Sequence, residues 1–330
     1  MTHTCIVFIE LHENEIPPND YLVFNSYEYE CSADIGRERS GPHEVSLGRG
    51  CEHLSVILHE VGHALGMFHE QSRSDRDQYI KVITHNISPE FQFAFNKELD
   101  YNYGIPYDYT SIMHYMRDGF SVKPGQKITI STIDPTLEYL IKERKEPSFR
   151  DIKLLNMMYK CNAHCPYNPG CKHEGYMDRT CECRCREGTS GKNCENKDHD
   201  YYPPNKCGGI ISRATTINSP VTQKIEKMNC IWWIQAPRGN TIKLRIESAN
   251  TYERYNDPSH PLHGSCVFEA FGVRTKSLYE GDIYCGRELY AGKEFHSCDH
   301  NMVLTYELDE YQLEKGFTAS IEFVKQPGRC

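Results

Sequence analysis

The chain has 330 residues, a net charge of -9 and sixteen cysteines. The acidic charge is spread out and no basic run carries interleaved aromatics, which argues against a nucleic-acid partner, and no apolar run reaches the ~20 residues of a membrane-spanning helix. Clustered cysteines would be reactive in a reducing cytosol, and their even number reads as a set of disulfides in an extracellular protein.

In chain order, Cys5-Ile6-Val7-Phe8 and Tyr21-Leu-Val-Phe-Asn25 read as strands, so a sheet with helices precedes residue 54. Leu54, Ile57, Leu58, Val61 and Leu65 then recur at helical intervals, on the side facing away from His59 and His63. Those two histidines are four residues apart, so a helix stacks them on one face, where both offer a ring nitrogen to one metal ion. Glu60, one step round, is the candidate general base for a water held at that metal. Were the helix to continue to His69, its rise would carry that imidazole about 15 Å away, whereas a zinc–nitrogen bond is ~2 Å. The chain must turn back, and Gly66 permits the left-handed turn that ends a helix. Three nitrogen ligands leave a position open for water, which separates a catalytic zinc from a structural one. His59, Glu60, His63, Gly66 and His69 together specify more than a bare H-E-x-x-H, which sets them above a buried helix whose histidines merely hydrogen-bond.

Further along, Asn86-Ile-Ser88 is the sole N-glycosylation sequon, with Pro89 immediately after it. By themselves Met113 reads as core and Tyr115 as a half-buried aromatic. Lys142-Glu-Arg-Lys-Glu146 reads as a solvated charge run, and Asp151 to Tyr159 as a short helix through Ile152, Leu154, Leu155 and Met158. Cys165, Cys171, Cys181, Cys183, Cys185 and Cys194 fall in a stretch with almost no core-sized apolar side chains, which must be stapled to fold. Six cysteines leave roughly fifteen connectivities open. A polar linker with Pro203-Pro204 follows. Beyond it Ile242, Leu244 and Ile246 alternate with Lys243, Arg245 and Glu247, and Ala319, Ile321 and Phe323 with Ser320 and Glu322, the pattern of an antiparallel β-sandwich.

The run from His59 to His69, continued by Glu70-Gln-Ser-Arg-Ser-Asp-Arg-Asp77, resembles the astacin family of metzincin zinc metalloproteases. The resemblance implies an α+β metzincin catalytic domain over residues 1–161, one Zn2+ on His59, His63 and His69, and peptide hydrolysis with Glu60 as general base. Ser111-Ile-Met113-His-Tyr115 looks like the family's Met-turn, with Met113 beneath the metal and Tyr115 a fifth ligand that swings to stabilise the oxyanion. Family pairing joins Cys5 to Cys161 and Cys31 to Cys51. Alignment back from Asp151-Ile152 puts Arg144 where many astacins carry an S1′ arginine, which would favour Asp or Glu just after the scissile bond; the solvated charge run stands beside this reading. The family's mature amino terminus pairs with the glutamate after the third histidine, here Glu70. Neither the first strand and backing helix that astacins place before the Cys5 segment nor a secretory signal is written in this sequence, so the domain reads as N-terminally incomplete and Glu70 lacks that partner; it is exposed, finds another cation, or belongs to a longer protein, the last being expected.

Cys183-Arg-Cys185-Arg-Glu-Gly188-Thr-Ser-Gly191-Lys-Asn-Cys194 resembles an EGF-like module, which implies a small disulfide-rich unit over residues 162–195 with pairs Cys165–Cys181, Cys171–Cys183 and Cys185–Cys194. After the linker, 196–206, the segment 207–330 resembles a CUB domain through Cys207-Gly-Gly209, Cys230-Ile-Trp232, Ala236-Pro237-Arg-Gly239, Cys266, Cys285-Gly286 and Gly316-Phe317. That implies an all-β CUB sandwich with Cys207–Cys230 and Cys266–Cys285, leaving Cys298–Cys330 by parity. Calcium stays unassigned, because Glu269 stands where calcium-binding CUB domains carry aspartate. The expected function is a secreted zinc metalloendopeptidase of nematode astacin type, with protein or peptide substrates and with matrix or other secreted proteins as partners of its EGF-like and CUB modules. The other class considered is a non-catalytic adhesion protein on an inactive or truncated scaffold; the intact Glu60 and ligand set favour the enzyme.

Overall fold

The computed structural model describes residues 3–12, 14–17, 19–27, 30–37, 39–99, 102–220, 227–260, 262–308 and 316–325. The chain makes two compact units, one from Met1–Arg76, Lys97–Tyr115 and Lys142–Pro204, the other from Asp77–Asn96, Met116–Ile141 and Asn205–Cys330.

In the first unit Gly41–Leu47 is the middle strand of three, parallel to Asp20–Asn25 and antiparallel to Cys31–Ala33. Helix α1, Leu54–Ala64, packs on the middle strand and on Cys31–Ala33. Val61 and Leu65 are buried, Ile57 and Leu58 partly so, and they share a core with Met67, Ile112, Met113 and Leu155. Leu54 departs from the expected apolar face: at the first position of the helix it is exposed.

The Cys5 segment also departs from expectation. It forms no ladder among the described residues, and Val7 and Ile9 are exposed, at 72% and 81%. A strand needs a neighbour for its amides and carbonyls, and this segment is tied instead through the Cys5–Cys161 disulfide.

Helix α2, Phe149–Met158, starts two residues before the expected Asp151 and ends one before Tyr159. Ser148 and Asp151 form a capping box: the Asp151 amide donates to Ser148 Oγ (2.9 Å) and the Ser148 amide to Asp151 Oδ2 (2.8 Å), which satisfies donors the helix cannot. After α2, Cys165–Cys181, Cys171–Cys183 and Cys185–Cys194 staple two small hairpins, Tyr176–Met177 with Cys183–Arg184 and Thr189–Ser190 with Asn196–Lys197. Cys31–Cys51 joins the sheet to the approach of α1.

The second unit holds a β-sandwich. One sheet runs Gly208–Ile211, Met228–Gln235, Asn301–Leu308, Glu269–Arg274, Asp282–Tyr284; the other runs Thr215–Asn218, Gly316–Lys325, Asn240–Asn250, Glu294–His296. Ile242, Leu244, Ile246 and Ala319 are fully buried while Arg245 and Glu247 are exposed, as period-two alternation demands. The pairing is antiparallel except at one edge, where Gly208–Ile211 runs parallel to Met228–Gln235. Cys207–Cys230 pins that edge, and a Cβ on Gly208 would lie 2.0 Å from the Ile231 carbonyl, so only glycine lets the strands approach there. Cys266–Cys285 is a second bridge, whereas the expected Cys298–Cys330 pair involves a cysteine outside the described residues.

The remainder of this unit is irregular. Three-ten turns at Arg76–Gln78, Thr84–Asn86, Pro89–Phe95 and Pro135–Leu140 surround one short antiparallel pair, Ile80–Val82 with Ile130–Thr132. Glu138 lies among them, fully buried, and its carboxylate takes hydrogen bonds from Arg274 Nη1 (2.9 Å), Arg117 Nη1 (2.8 Å) and Ser131 Oγ (2.7 Å). Among the described residues no helix is long and apolar enough to cross a membrane.

Candidate metal centre

Helix α1 ends where the histidine spacing requires. Gly66 adopts φ +94°, its amide donates to the His63 carbonyl (2.7 Å), and the Met67 amide donates to the Gly62 carbonyl (3.0 Å). This is a Schellman turn, and it sends the chain back toward the helix. His69 Nε2 then lies 3.2 Å from His59 Nε2 and 3.1 Å from His63 Nε2.

The other ring nitrogens decide what those atoms are. His59 Nδ1 is 2.8 Å from the Ile112 carbonyl and His63 Nδ1 2.8 Å from the Met67 carbonyl. A carbonyl only accepts, so each Nδ1 carries the proton and each Nε2 presents a lone pair. A cation placed among these nitrogens would accept their lone pairs, and a tetrahedral zinc with bonds of ~2.05 Å would set its nitrogens about 3.3 Å apart. The donor set fits zinc. Burial lowers the pKa of all three imidazoles, with the neighbouring histidines adding to the effect at His63 (to about 4) and His69 (to about 2), so they stay neutral as ligands must.

Glu60 is buried at 5% exposure, and burial pushes its carboxyl up to about 7. The Tyr115 ring centroid is 4.4 Å from that of His69, and its phenol is pushed up to about 12, by burial first and then by the charge of Glu60. Glu60 thus shares its helix with His59 and His63, and the Tyr115 ring lies against His69. The Tyr115 amide is held by Gln71 Oε1 (3.0 Å), a fully buried side chain. Met113 is buried against α1, where a Cβ on Gly62 would come within 2.7 Å of its sulfur; a glycine between two ligating histidines is the trace this contact leaves in the sequence.

Two supporting residues escape a reading of the sequence. Asp151 accepts from the Ile112 amide (2.9 Å) and Ser111 Oγ (2.6 Å), so it fixes the peptide whose carbonyl orients His59. Its place in a capping box is visible in the sequence, its reach to residues 111 and 112 is not. Gln71 has no signal beyond its position in the run after His69.

Of the outcomes open for Glu70, the structure shows it buried beside another cation: it accepts from Arg73 Nη1 (3.2 Å) and the Asp108 amide (2.6 Å). Burial still dominates and raises its carboxyl to about 8, with the Arg73 charge opposing. Beside it is a cavity of about 180 Å3 lined in part by Arg73, Asp108, Asp151, Leu154 and Met158.

Arg144 is half-buried while Lys142, Glu143, Lys145 and Glu146 are exposed or at the margin of the surface, which separates it from a solvated run. Burial lowers its pKa, and Asp108, Tyr201, Tyr202 and Asp151 are the groups whose fields oppose that. Asn86 points the other way from a glycosylation site: it is 8% exposed and its amide nitrogen donates to the Ile128 carbonyl (2.8 Å), so the atom a glycan needs is engaged inside the fold.

Residues 1–160 match the Astacin peptidase family, and residues 207–321 match the CUB domain. Blastula protease 10 of Paracentrotus lividus is 32% identical over 98% of this chain and 53% of its own length. Zinc metalloproteinase dpy-31 of Caenorhabditis elegans is 39% identical over 78% of this chain and 44% of its own. Among solved structures, high choriolytic enzyme 1, a hatching enzyme zinc-protease of the medaka Oryzias latipes, is 39% identical, covering 48% of this chain and 76% of that one with a TM-score of 0.44. The chain thus spans about half the length of the curated relatives it matches. Its three-histidine centre and these matches agree: through residues 1–160 the chain belongs to the astacin family of zinc metalloproteases, and through residues 207–321 it carries a CUB domain.

Proposed function

We propose that this chain is a secreted zinc endopeptidase that cuts extracellular proteins, with a metzincin catalytic domain over residues 1–161, an EGF-like module over 162–195, a connector over 196–206 and a CUB domain over 207–330. The observation that carries the reading is the convergence of three imidazoles, with His69 Nε2 3.2 Å from His59 Nε2 and 3.1 Å from His63 Nε2, and the buried carboxyl of Glu60 on the helix that carries His59 and His63.

Zinc, bound by His59, His63 and His69, supplies Lewis acidity toward a water and toward the scissile carbonyl. Glu60 takes the proton of the attacking water and returns it to the leaving amine; burial places its pKa near neutrality, where a group can do both. Tyr115 stays protonated, since its phenol is raised to about 12, and donates a hydrogen bond to the oxygen that gains charge. Arg144, turned inward from a charged run, lines the subsite after the scissile bond and favours Asp or Glu there. The disulfide-rich module and the sandwich hold the enzyme on matrix or other secreted proteins.

The test is cleavage of a quenched-peptide library that varies the position of acidic residues, with the zinc-loaded chain, its Glu60→Ala variant and added chelator. Cleavage that chelator and Glu60→Ala both abolish is expected. A folded, zinc-loaded chain that cuts nothing would overturn the reading in favour of a binding protein on a protease scaffold.

A further inference from the structure

The connector between the disulfide-rich region and the sandwich reads in sequence as a polar linker, and it lies between the two family matches, covered by neither. In the structure it is fastened to the catalytic region. The Tyr201 ring lies under the Arg150 guanidinium at 3.8 Å, and the Tyr202 ring packs 5.7 Å from Tyr109.

The Tyr202 hydroxyl has four partners. The Tyr109 amide (3.2 Å) and Arg150 Nη1 (3.0 Å) donate to it, and its own proton faces the Tyr107 carbonyl (3.1 Å) and Asp108 Oδ1 (3.3 Å). One phenol oxygen thereby holds three consecutive residues. Arg150 is itself held from the other side, by both carboxylate oxygens of Glu174 (2.8 and 2.9 Å).

What this segment carries leads to Tyr115. The Tyr107 phenol, 2% exposed, is 2.8 Å from His114 Nε2, and His114 Nδ1 is 2.7 Å from the Tyr115 carbonyl. Because that carbonyl can only accept, His114 Nδ1 carries the proton, its Nε2 is the acceptor, and the Tyr107 hydroxyl is the donor. The bonds run in one direction, from the Tyr107 ring through His114 to the backbone of Tyr115. Gln71 holds the Tyr115 amide, so the two ends of this residue's backbone are fixed by separate partners.

We propose that Tyr202 is a positioning residue for the peptidase reaction: from outside the catalytic family match it fixes the 107–109 segment, and through Tyr107 and His114 it sets where Tyr115 stands at the metal. This rests on the protease reading above. The connector is then part of the catalytic machinery's support and more than a tether.

The experiment uses the full chain, zinc-loaded, as wild type, Tyr202→Phe, Tyr115→Phe and the double variant, with Tyr107→Phe as an independent break in the same path. Phenylalanine keeps the ring and removes only the hydroxyl. Tyr202→Phe is expected to lower kcat about tenfold with KM within about twofold, as a displacement of Tyr115 felt only in the transition state would. In the Tyr115→Phe background it should cost nothing further, and Tyr107→Phe should reproduce it. Amide exchange adds a readout that needs no activity: the 107–115 segment should exchange about tenfold faster in Tyr202→Phe. An equal loss of kcat in both backgrounds, or unchanged exchange across 107–115, would overturn the proposal. An active wild type with an unaffected Tyr202→Phe removes this proposal alone, whereas a zinc-loaded wild type that cuts nothing removes the protease reading and this with it.

Discussion

Two groups of ionisable side chains in this molecule are similarly hidden from water and come to opposite charge states. At the metal centre burial prevails: imidazole pKa values fall, the Glu60 and Tyr115 values rise, and every group moves toward its neutral form. At Glu138 burial again opposes ionisation, yet Arg274 and Arg117 overcome it and hold the carboxyl at about 2. The lesson is that burial alone does not set the charge; the partner does. Neutral ligands and a base near neutrality suit a site that awaits a dication and a substrate, while a paired cluster suits a place that must not change.

Removing the proposed base is the sharpest test of the first half of that contrast. Glu60→Ala should lower kcat/KM by about a thousandfold, within the range for general bases, while zinc content measured by metal analysis stays at the wild-type level. A variant that loses zinc as well would mean that Glu60 helps to build the site, and the comparison would fail.

The second half is tested by stranding a charge. Glu138→Ala leaves Arg274, 5% exposed, facing an emptied site, and should cost about 3–5 kcal/mol in urea unfolding monitored at the sandwich tryptophans. Loss below ~1 kcal/mol would show that water reaches the cluster. The pH dependence has a definite sign. The folded pKa is about 2, below the ordinary 4.5, so the stabilisation is complete above about 4.5 and is lost as pH falls toward 2. Melting at pH 6 and pH 3 should therefore differ in wild type and differ less in Glu138→Gln.

Smaller effects are expected where packing and subsite charge are concerned. Gly62→Ala forces its methyl onto the Met113 sulfur and should cost about 1–3 kcal/mol, read from the unfolding of zinc-free protein. Arg144→Ala should reduce preference for Asp or Glu after the scissile bond about tenfold, leaving cleavage at neutral residues unchanged. Equal loss on both substrate types would assign Arg144 to structure.

How much of this was legible beforehand depended on distance along the chain. His59, Glu60, His63, Gly66 and His69 lie within one helix and its turn, where covalent geometry and helical pitch leave few alternatives. The alternation in Asn240–Asn250 was readable for the same reason. The Cys5 segment looked equally convincing and failed, because strand propensity is realised only when a neighbour supplies the ladder. For Glu70 the sequence left the partner open, and the fold supplies it from three residues away at Arg73.

By itself, then, the sequence determined the three-histidine spacing and its turn, the candidate base beside them, and the sandwich's inward faces, since each is a periodicity or a spacing that local backbone geometry enforces. Only the tertiary structure decided the support. Asp151 meets Ile112 across 39 residues, Arg274 meets Glu138 across 136, and Tyr202 meets Tyr107 across 95. No local period marks such partners; they are selected by which buried donors and acceptors the packed chain would otherwise leave unmatched.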